Sequence, residues 1–145
     1  MRHRLSLRSA MAGLLLTAAS AGVVGCSSNK PPDAMGTLTG TISYQNPVEL
    51  SPDAVAYVRL ADTTKGVMES KTVVQKEIKD VAQAPITFEL PYKEKDIDPS
   101  REYAVEVRIV DKGKVMYTNP TKQTVITKGN PNALDMTLVA PAPRY

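Results

Sequence analysis

The sequence predicts an all-β domain, a single β-sandwich of seven to eight antiparallel strands behind an N-terminal leader. Three observations carry this expectation. Residues 37–44 (TLTGTISY) and 101–110 (REYAVEVRIV) alternate apolar and polar side chains with a period of two. Short β-rich segments recur between residues 37 and 140, separated by Pro, Gly, Asn and Asp. Only residues 91–98 (PYKEKDID) read as a helical turn. A chain of 145 residues fits one such domain, with no internal repeat or low-complexity tract.

The elements follow in order. In residues 37–44, Leu38, Gly40, Ile42 and Tyr44 share one face, and Thr37, Thr39, Thr41 and Ser43 the other. Residues 47–53 (PVELSPD) turn the chain. Residues 54–61 (AVAYVRLA) form the second strand, with Ala56, Val58 and Leu60 inward. Residues 68–78 (MESKTVVQKEI) are weaker and charge-rich, as an exposed edge strand is. In residues 85–90 (PITFEL), Ile86, Phe88 and Leu90 face in, with Thr87 and Glu89 out. Residues 101–110 are the strongest strand, with Tyr103, Val105, Val107 and Ile109 on one face and Glu102, Glu106 and Arg108 on the other. Asp111-Lys112-Gly113 is a hairpin turn returning through Val115–Tyr117. Thr124–Ile126 is a short edge strand, and Leu134, Met136 and Leu138 line the last one. Asp98-Pro99, just ahead of Tyr103, resembles a tyrosine corner, in which the phenol bonds backbone a few residues upstream. Tyr103 is then structural.

The leader is a secretory signal rather than a membrane span. Residues 1–8 (MRHRLSLR) are basic, and residues 9–24 (SAMAGLLLTAASAGVV) are small and apolar. That run falls short of the about 20 apolar residues needed to cross a bilayer. It ends in Val23-Val24-Gly25-Cys26, which resembles the bacterial lipobox. Such a motif implies cleavage between Gly25 and Cys26, with a diacylglycerol on the thiol and an acyl chain on the new amine. The competing readings are an ordinary signal cut elsewhere and an uncleaved anchor. The polar stretch after the Cys, with no second apolar run, favours the lipoprotein. Several acyl chains on one Cys anchor stably, at about 0.8 kcal/mol per buried CH₂. Ser27 at the following position implies sorting to the outer membrane, periplasmic face, where Asp implies inner-membrane retention. The expected organisation is a signal over residues 1–25, the lipidated Cys and a flexible tether over 26–36, the sandwich over 37–140 and a tail over 141–145.

Charge and residue usage narrow the function. Arg2, Arg4 and Arg8 are the only charged residues ahead of Cys26, His3 aside, and removing them leaves 15 basic against 15 acidic side chains. A mature chain with no net side-chain charge argues against nucleic acid, whose binders need a basic patch, and against a polybasic membrane-surface domain. His3 is the sole histidine and Cys26 the sole cysteine. Cleavage and acylation therefore leave no imidazole or free thiol for nucleophilic catalysis, no disulfide, and no His or Cys ligand for zinc. No cofactor fingerprint appears; the covalent lipid on Cys26 is the one expected prosthetic group. Glu94, Asp96 and Asp98 offer oxygens to a hard cation, without the glycine and distal Glu of an EF-hand, and read as a solvated acidic turn. A carboxylate-based hydrolase has no further support.

Two binding roles remain. Carbohydrate modules present aromatic platforms, and Tyr57, Tyr92, Tyr117 and Tyr145 are the candidates for exposure, because Phe88, Tyr44 and Tyr103 fall on inward faces. A protein-binding role needs a surface such as an open sheet edge, for which residues 68–78 are the candidate. Edge charges equally serve to prevent strand addition.

The stretches TGTISYQNPVELSPDAVAYVRLAD, APITFELPYKEKDIDPSREYAVEVRI and GKVMYTN…TVITKGNPNALDMTLV resemble the YbaY-type lipoproteins, whose domain is shared with the YscW-type pilotins of type III secretion. The resemblance covers about residues 38–139, and its most specific piece is FELPY…IDPSREYAVEVRI. It implies an Ig-like or transthyretin-like sandwich, lipid anchoring, and a chaperone-like envelope role in which the YscW branch assists an outer-membrane secretin. It implies no catalytic residues.

Overall fold

The structure, a computed structural model, describes residues 31, 33–44 and 48–143. The expected signal, Gly25, Cys26 and Ser27, and Tyr145 lie outside the described residues. Eight strands follow one another: β1 (Met35–Tyr44), β2 (Val55–Asp62), β3 (Lys71–Ile78), β4 (Ile86–Lys93), β5 (Tyr103–Asp111), β6 (Lys114–Thr118), β7 (Gln123–Val125) and β8 (Ala133–Leu138). They form a three-stranded sheet, β4-β1-β8, and a five-stranded sheet, β3-β2-β5-β6, with β7 also paired to β5. The inner faces of the two sheets enclose one apolar core. The expected all-β sandwich is therefore the fold.

One pairing departs from the antiparallel expectation. β8 runs parallel to β1, from Thr39↔Ala133 to Tyr44↔Leu138, whereas the other strand pairings are antiparallel. Parallel pairing requires a long connection rather than a hairpin. It is met here because β8 reaches β1 from β7 on the opposite sheet. The periodicity of β8 sets which side chains face in but carries no information on direction.

In the five-stranded sheet the core face is a ladder of branched side chains. Val58 lies opposite Val107, Leu60 opposite Val105 and Ala56 opposite Ile109, all buried. The β5–β6 hairpin closes through Lys112 and Gly113, both at positive φ (48° and 77°), the twist-matched two-residue turn. The three-stranded sheet is built differently. Gly36 and Gly40 alternate with Leu38 and Ile42 on the inner face of β1, and lie directly opposite Tyr92 and Phe88 of β4. A Cβ at Gly36 would overlap the Tyr92 ring; one at Gly40 would overlap the Phe88 ring and the Leu134 carbonyl. The rings thus occupy the space the glycines leave.

Several expectations need correction. β1 begins at Met35, so Met35 and Gly36 belong to the sheet and not to the tether. Tyr92, expected at the surface, is only 9% exposed, because β4 continues through Pro91 to Lys93 and the alternation carries Tyr92 inward. Pro91 is tolerated because β4 is an edge strand. The helical turn shrinks to a 3-10 turn at Glu94–Asp96. Tyr117, also expected outside, is 1% exposed; it stacks on Tyr44 with centroids 4.7 Å apart, and its hydroxyl accepts the Val48 N–H at 2.7 Å. β3 starts at Lys71, because Val67–Glu69 forms a 3-10 turn. β7 ends at Val125, because Ile126 adopts φ 63°, a left-handed conformation that is strained for a β-branched residue.

The start of β5 is tied to neighbouring loops. The Tyr103 hydroxyl accepts the Asp98 N–H at 3.0 Å. Asp62, at the end of β2, accepts from the Thr64 hydroxyl at 2.6 Å and from Arg101 at 2.7 Å. These bonds, the Thr64 hydroxyl first, hold the Asp62 carboxyl down to about 2 against an ordinary 3.8. Thr127 donates to the Arg101 carbonyl at 2.8 Å.

Three outcomes are expected. Gly40→Ala lowers unfolding free energy by about 1–3 kcal/mol, the usual range for forcing an atom into a packed site, whereas outward Thr41→Ala changes it by less than about 0.5 kcal/mol. Denaturant titration of both variants measures the difference. Tyr103→Phe costs about 0.5–1.5 kcal/mol, the net worth of one hydrogen bond, and an unaltered melting curve removes the corner from the stability account. As pH falls, unfolded Asp62 takes its proton near 3.8 and folded Asp62 only near 2. The unfolded state binds more protons in that window, so the stabilisation from Asp62 is lost between about pH 4 and pH 2. Asp62→Asn flattens the acid limb of stability against pH; an unchanged limb contradicts the latch.

Candidate functional site

The core uses one face of each strand, which leaves the outer face of the five-stranded sheet as a surface. Tyr57 and Arg59 project from β2 there, opposite Arg108 and Glu106 of β5. Together with Val67 on one flank and the 119–122 segment on the other, they line a groove of about 650 Å³. Its wall exists because β5 changes partner along its length, pairing with β6 at residues 108–111 and with β7 at 103–105. Asn119 fills the gap: its Oδ1 accepts the Val107 N–H at 2.9 Å, its own N–H reaches the Val107 carbonyl at 3.2 Å, and its Nδ2 donates to the Thr121 carbonyl at 2.8 Å. The chain arches off the sheet between these anchor points.

The charges in the groove are unequally used. Arg59 is ion-paired with Glu106 and donates to Thr72 at 3.0 Å and to Ser70 at 3.2 Å. Its planar fork is spent on positioning. Glu106 Oε1 has no hydrogen-bond partner among the described residues. Lys122 pairs with Glu102. The Arg108 guanidinium lies 5.3 Å from the Tyr57 ring centroid and has no carboxylate partner among the described residues. A cation resting on an aromatic face keeps its donors available while its orientation is fixed. Val67, which lines the groove, and Met68 next to it in sequence are exposed apolar residues. Tyr, Arg and Met are the types enriched at protein interfaces, and Tyr and Arg carry most hot spots.

The residues singled out from the sequence fare differently. Among the described residues no three His, Cys, Asp or Glu side chains come together to hold a metal. Asp98 Oδ1 instead accepts the Ser100 N–H at 2.9 Å and hydroxyl at 2.7 Å, which keeps its carboxyl below the usual range, and Arg101 stands 3.6 Å away. Within the acidic turn Asp98 is thus a loop latch, and Asp96 is exposed. Of the described tyrosines offered as sugar platforms, only Tyr57 is not buried, and Arg108 covers one face of it.

The β3 edge is not an open docking strand. Its register shifts opposite Leu60/Ala61, which leaves Val73 as an unpaired bulge. Lys76, opposite inward-facing Val58, sends its ammonium to the Glu89 carbonyl of β4 at 2.9 Å. A bulge and an inward-pointing charge are the devices that deter strand addition. The groove itself was missed in the sequence: its residues occupy outward alternation positions, but only the β2–β5 register sets them face to face.

The family model for the type III secretion system lipoprotein chaperone (YscW) matches residues 33–138. The lipoprotein YbaY of Escherichia coli (strain K12), described as uncharacterized, is 32% identical over 103 residues, covering 70% of this chain and 54% of that protein. The chain thus spans about half the length of that relative. An alternative pilotin from the type II secretion system of Vibrio cholerae has a solved structure that superposes with a TM-score of 0.70 at 25% identity, covering 76% of this chain and 100% of the pilotin chain. With the family match running from ahead of β1 to the last residue of β8, the chain belongs to the YscW family of type III secretion system lipoprotein chaperones.

Proposed function

We propose that the protein is a pilotin-like holder, anchored by lipid on Cys26 to the periplasmic face of the outer membrane, and that its sandwich carries an envelope polypeptide such as a secretin subunit. The observation that carries this reading is that the whole of a type II secretion pilotin superposes on this chain. The lipobox ending in Cys26, and Ser27 after it, support the anchor and its address. The groove over Tyr57, Arg59, Glu106 and Arg108 supports a face-on mode of holding, since the β3 edge is guarded.

The residues divide the task simply. The acyl chains confine the domain to one leaflet, so a partner meets it at a raised effective concentration. Arg59 and Glu106 brace the floor of the groove. Arg108, set on Tyr57, supplies an oriented pair of donors to a carboxylate or carbonyl of the partner.

Membrane fractionation and cross-linking test the proposal. Wild type is expected with the outer membrane and carrying palmitate; Cys26→Ala loses the label and floats free, and Ser27→Asp moves to the inner membrane. Cross-linking in whole envelopes is expected to recover an outer-membrane polypeptide, with Arg108→Glu reducing its yield at least tenfold, which corresponds to about 1.4 kcal/mol. An unlabelled, freely soluble wild type contradicts the anchor. Recovery of glycan alone, or of nothing, contradicts the holder.

A further inference from the structure

We infer that the loop joining β2 to β3 is a second membrane contact, seating Val67 and Met68 among the headgroups of the leaflet that holds the acyl chains. The inference rests on the reading of Cys26 as the lipid anchor.

The topology puts this loop at the membrane-proximal end. The chain enters β1 at Met35, and the Glu94 N–H holds the Ala34 carbonyl at 2.9 Å. Arg101, ahead of β5, reaches Asp62 at the end of β2. The entry to β1, the Glu94–Asp96 turn and the β2–β3 loop therefore share one end of the sandwich. Nine residue-to-residue steps lead from Cys26 to Met35, a span of about 30–32 Å when fully stretched. That end stays within this distance of the anchor.

The same end bears exposed apolar side chains with no use inside the protein. Met68 is 98% exposed, Met35 56% and Val67 54%. The tip is preformed rather than slack: the Gly66 N–H bonds the Thr63 carbonyl at 2.8 Å, and the Ser70 N–H bonds the Val67 carbonyl at 3.3 Å. Gly66 sits at φ 100°, which a side chain would strain. Lys65 and Lys71 flank the tip, with Lys93 and Lys95 nearby; Glu69, Asp96 and Asp98 are exposed acids among them, and Asp98 has Arg101 3.6 Å away. Long lysine stems lie along an apolar boundary and lift their ammonium groups to the phosphate level.

Two apolar side chains do not hold a protein on a bilayer unaided. Here the acyl chains have already confined the tip, so the contact is effectively intramolecular and need only set orientation. Val67 also lines the groove. Seating the tip therefore brings the groove beside the bilayer, where a membrane-inserting polypeptide is met.

The natural sequence has no Trp, so a single introduced Trp is an unmixed reporter. The acylated full chain carrying Met68→Trp is reconstituted in phosphatidylethanolamine–phosphatidylglycerol vesicles containing brominated acyl chains. A second chain carries Val48→Trp, at the opposite end, where the native residue is 53% exposed. The expected result is a blue-shifted indole emission from the Met68→Trp chain, quenched several-fold more strongly by the brominated lipid than emission from the Val48→Trp chain. Equal quenching in the two chains overturns the inference and leaves the anchor standing. The mass of the N-terminal peptide reports acylation separately: an unmodified Cys26 overturns the anchor and this inference with it. A photo-cross-linker placed at position 68 that captures protein and not lipid in cell envelopes assigns the tip to a protein partner and overturns the lipid contact.

Discussion

Two aromatic rings lying across two glycines set the geometry of the smaller sheet. Phe88 covers Gly40 and Tyr92 covers Gly36, each pair directly opposite in the β1–β4 register. The missing Cβ atoms let the rings lie flat on β1 and let the Leu134 carbonyl approach from β8 on the other side. This makes the register exclusive. A slip of one residue would bring threonines under the rings and turn the core face outward. A slip of two would set Leu38 or Ile42 beneath a ring that already fills the space, an overpacking that cores resist. β1 is the central strand of its sheet, so this single constraint places both β4 and β8. The larger sheet needs no such device, because its branched ladder from β2 to β5 fits a pleated surface directly.

The same contrast explains what could be read in the sequence. Val58, Leu60, Val105, Val107 and Ile109 announce themselves by alternation, and all are buried. Leu38, Ile42, Ile86, Phe88 and Leu90 do so too. Gly36 did not register as part of a strand, since glycine alone is a poor strand former, and its place depends on Tyr92, fifty-six residues away. Tyr92 in turn was hidden behind Pro91, which reads as a turn unless the strand is known to be an edge. Tyr117 was hidden by the shortness of β6. The direction of β8 was illegible because a period of two is the same read forwards or backwards.

The groove was illegible for a related reason. Tyr57, Arg59, Glu106 and Arg108 each look like ordinary outward positions on strong strands. Their pairing, Tyr57 with Arg108 and Arg59 with Glu106, exists only once β2 and β5 are in register. The wall depends on Asn119, whose side chain substitutes for a strand between β6 and β7. An Asn-Pro after a short strand reads as a turn, and it is one; that its carboxamide stitches β5 is a tertiary fact.

On the proposed function, how a partner would be held follows from which surfaces the fold leaves open. Domains that offer a bare sheet edge invite strand addition by any unfolded chain. Here β3 is bulged at Val73 and crossed by Lys76. At the end of β6 and just past β8, Thr118 and Val139 exchange two backbone bonds, each 2.9 Å long, and join the two sheets. The edges that this topology could lend to a guest are thus occupied or obstructed at these points. The described residues contain neither histidine nor cysteine. What they present instead is a face with one oriented guanidinium, one aromatic ring and an apolar rim. Such a face would discriminate by fit, because a guest that leaves Arg108 desolvated and unpaired is penalised, whereas an edge accepts any backbone. For the proposed holder that choice is an advantage: a few side-chain contacts can be exchanged one at a time, whereas an added strand must be unzipped.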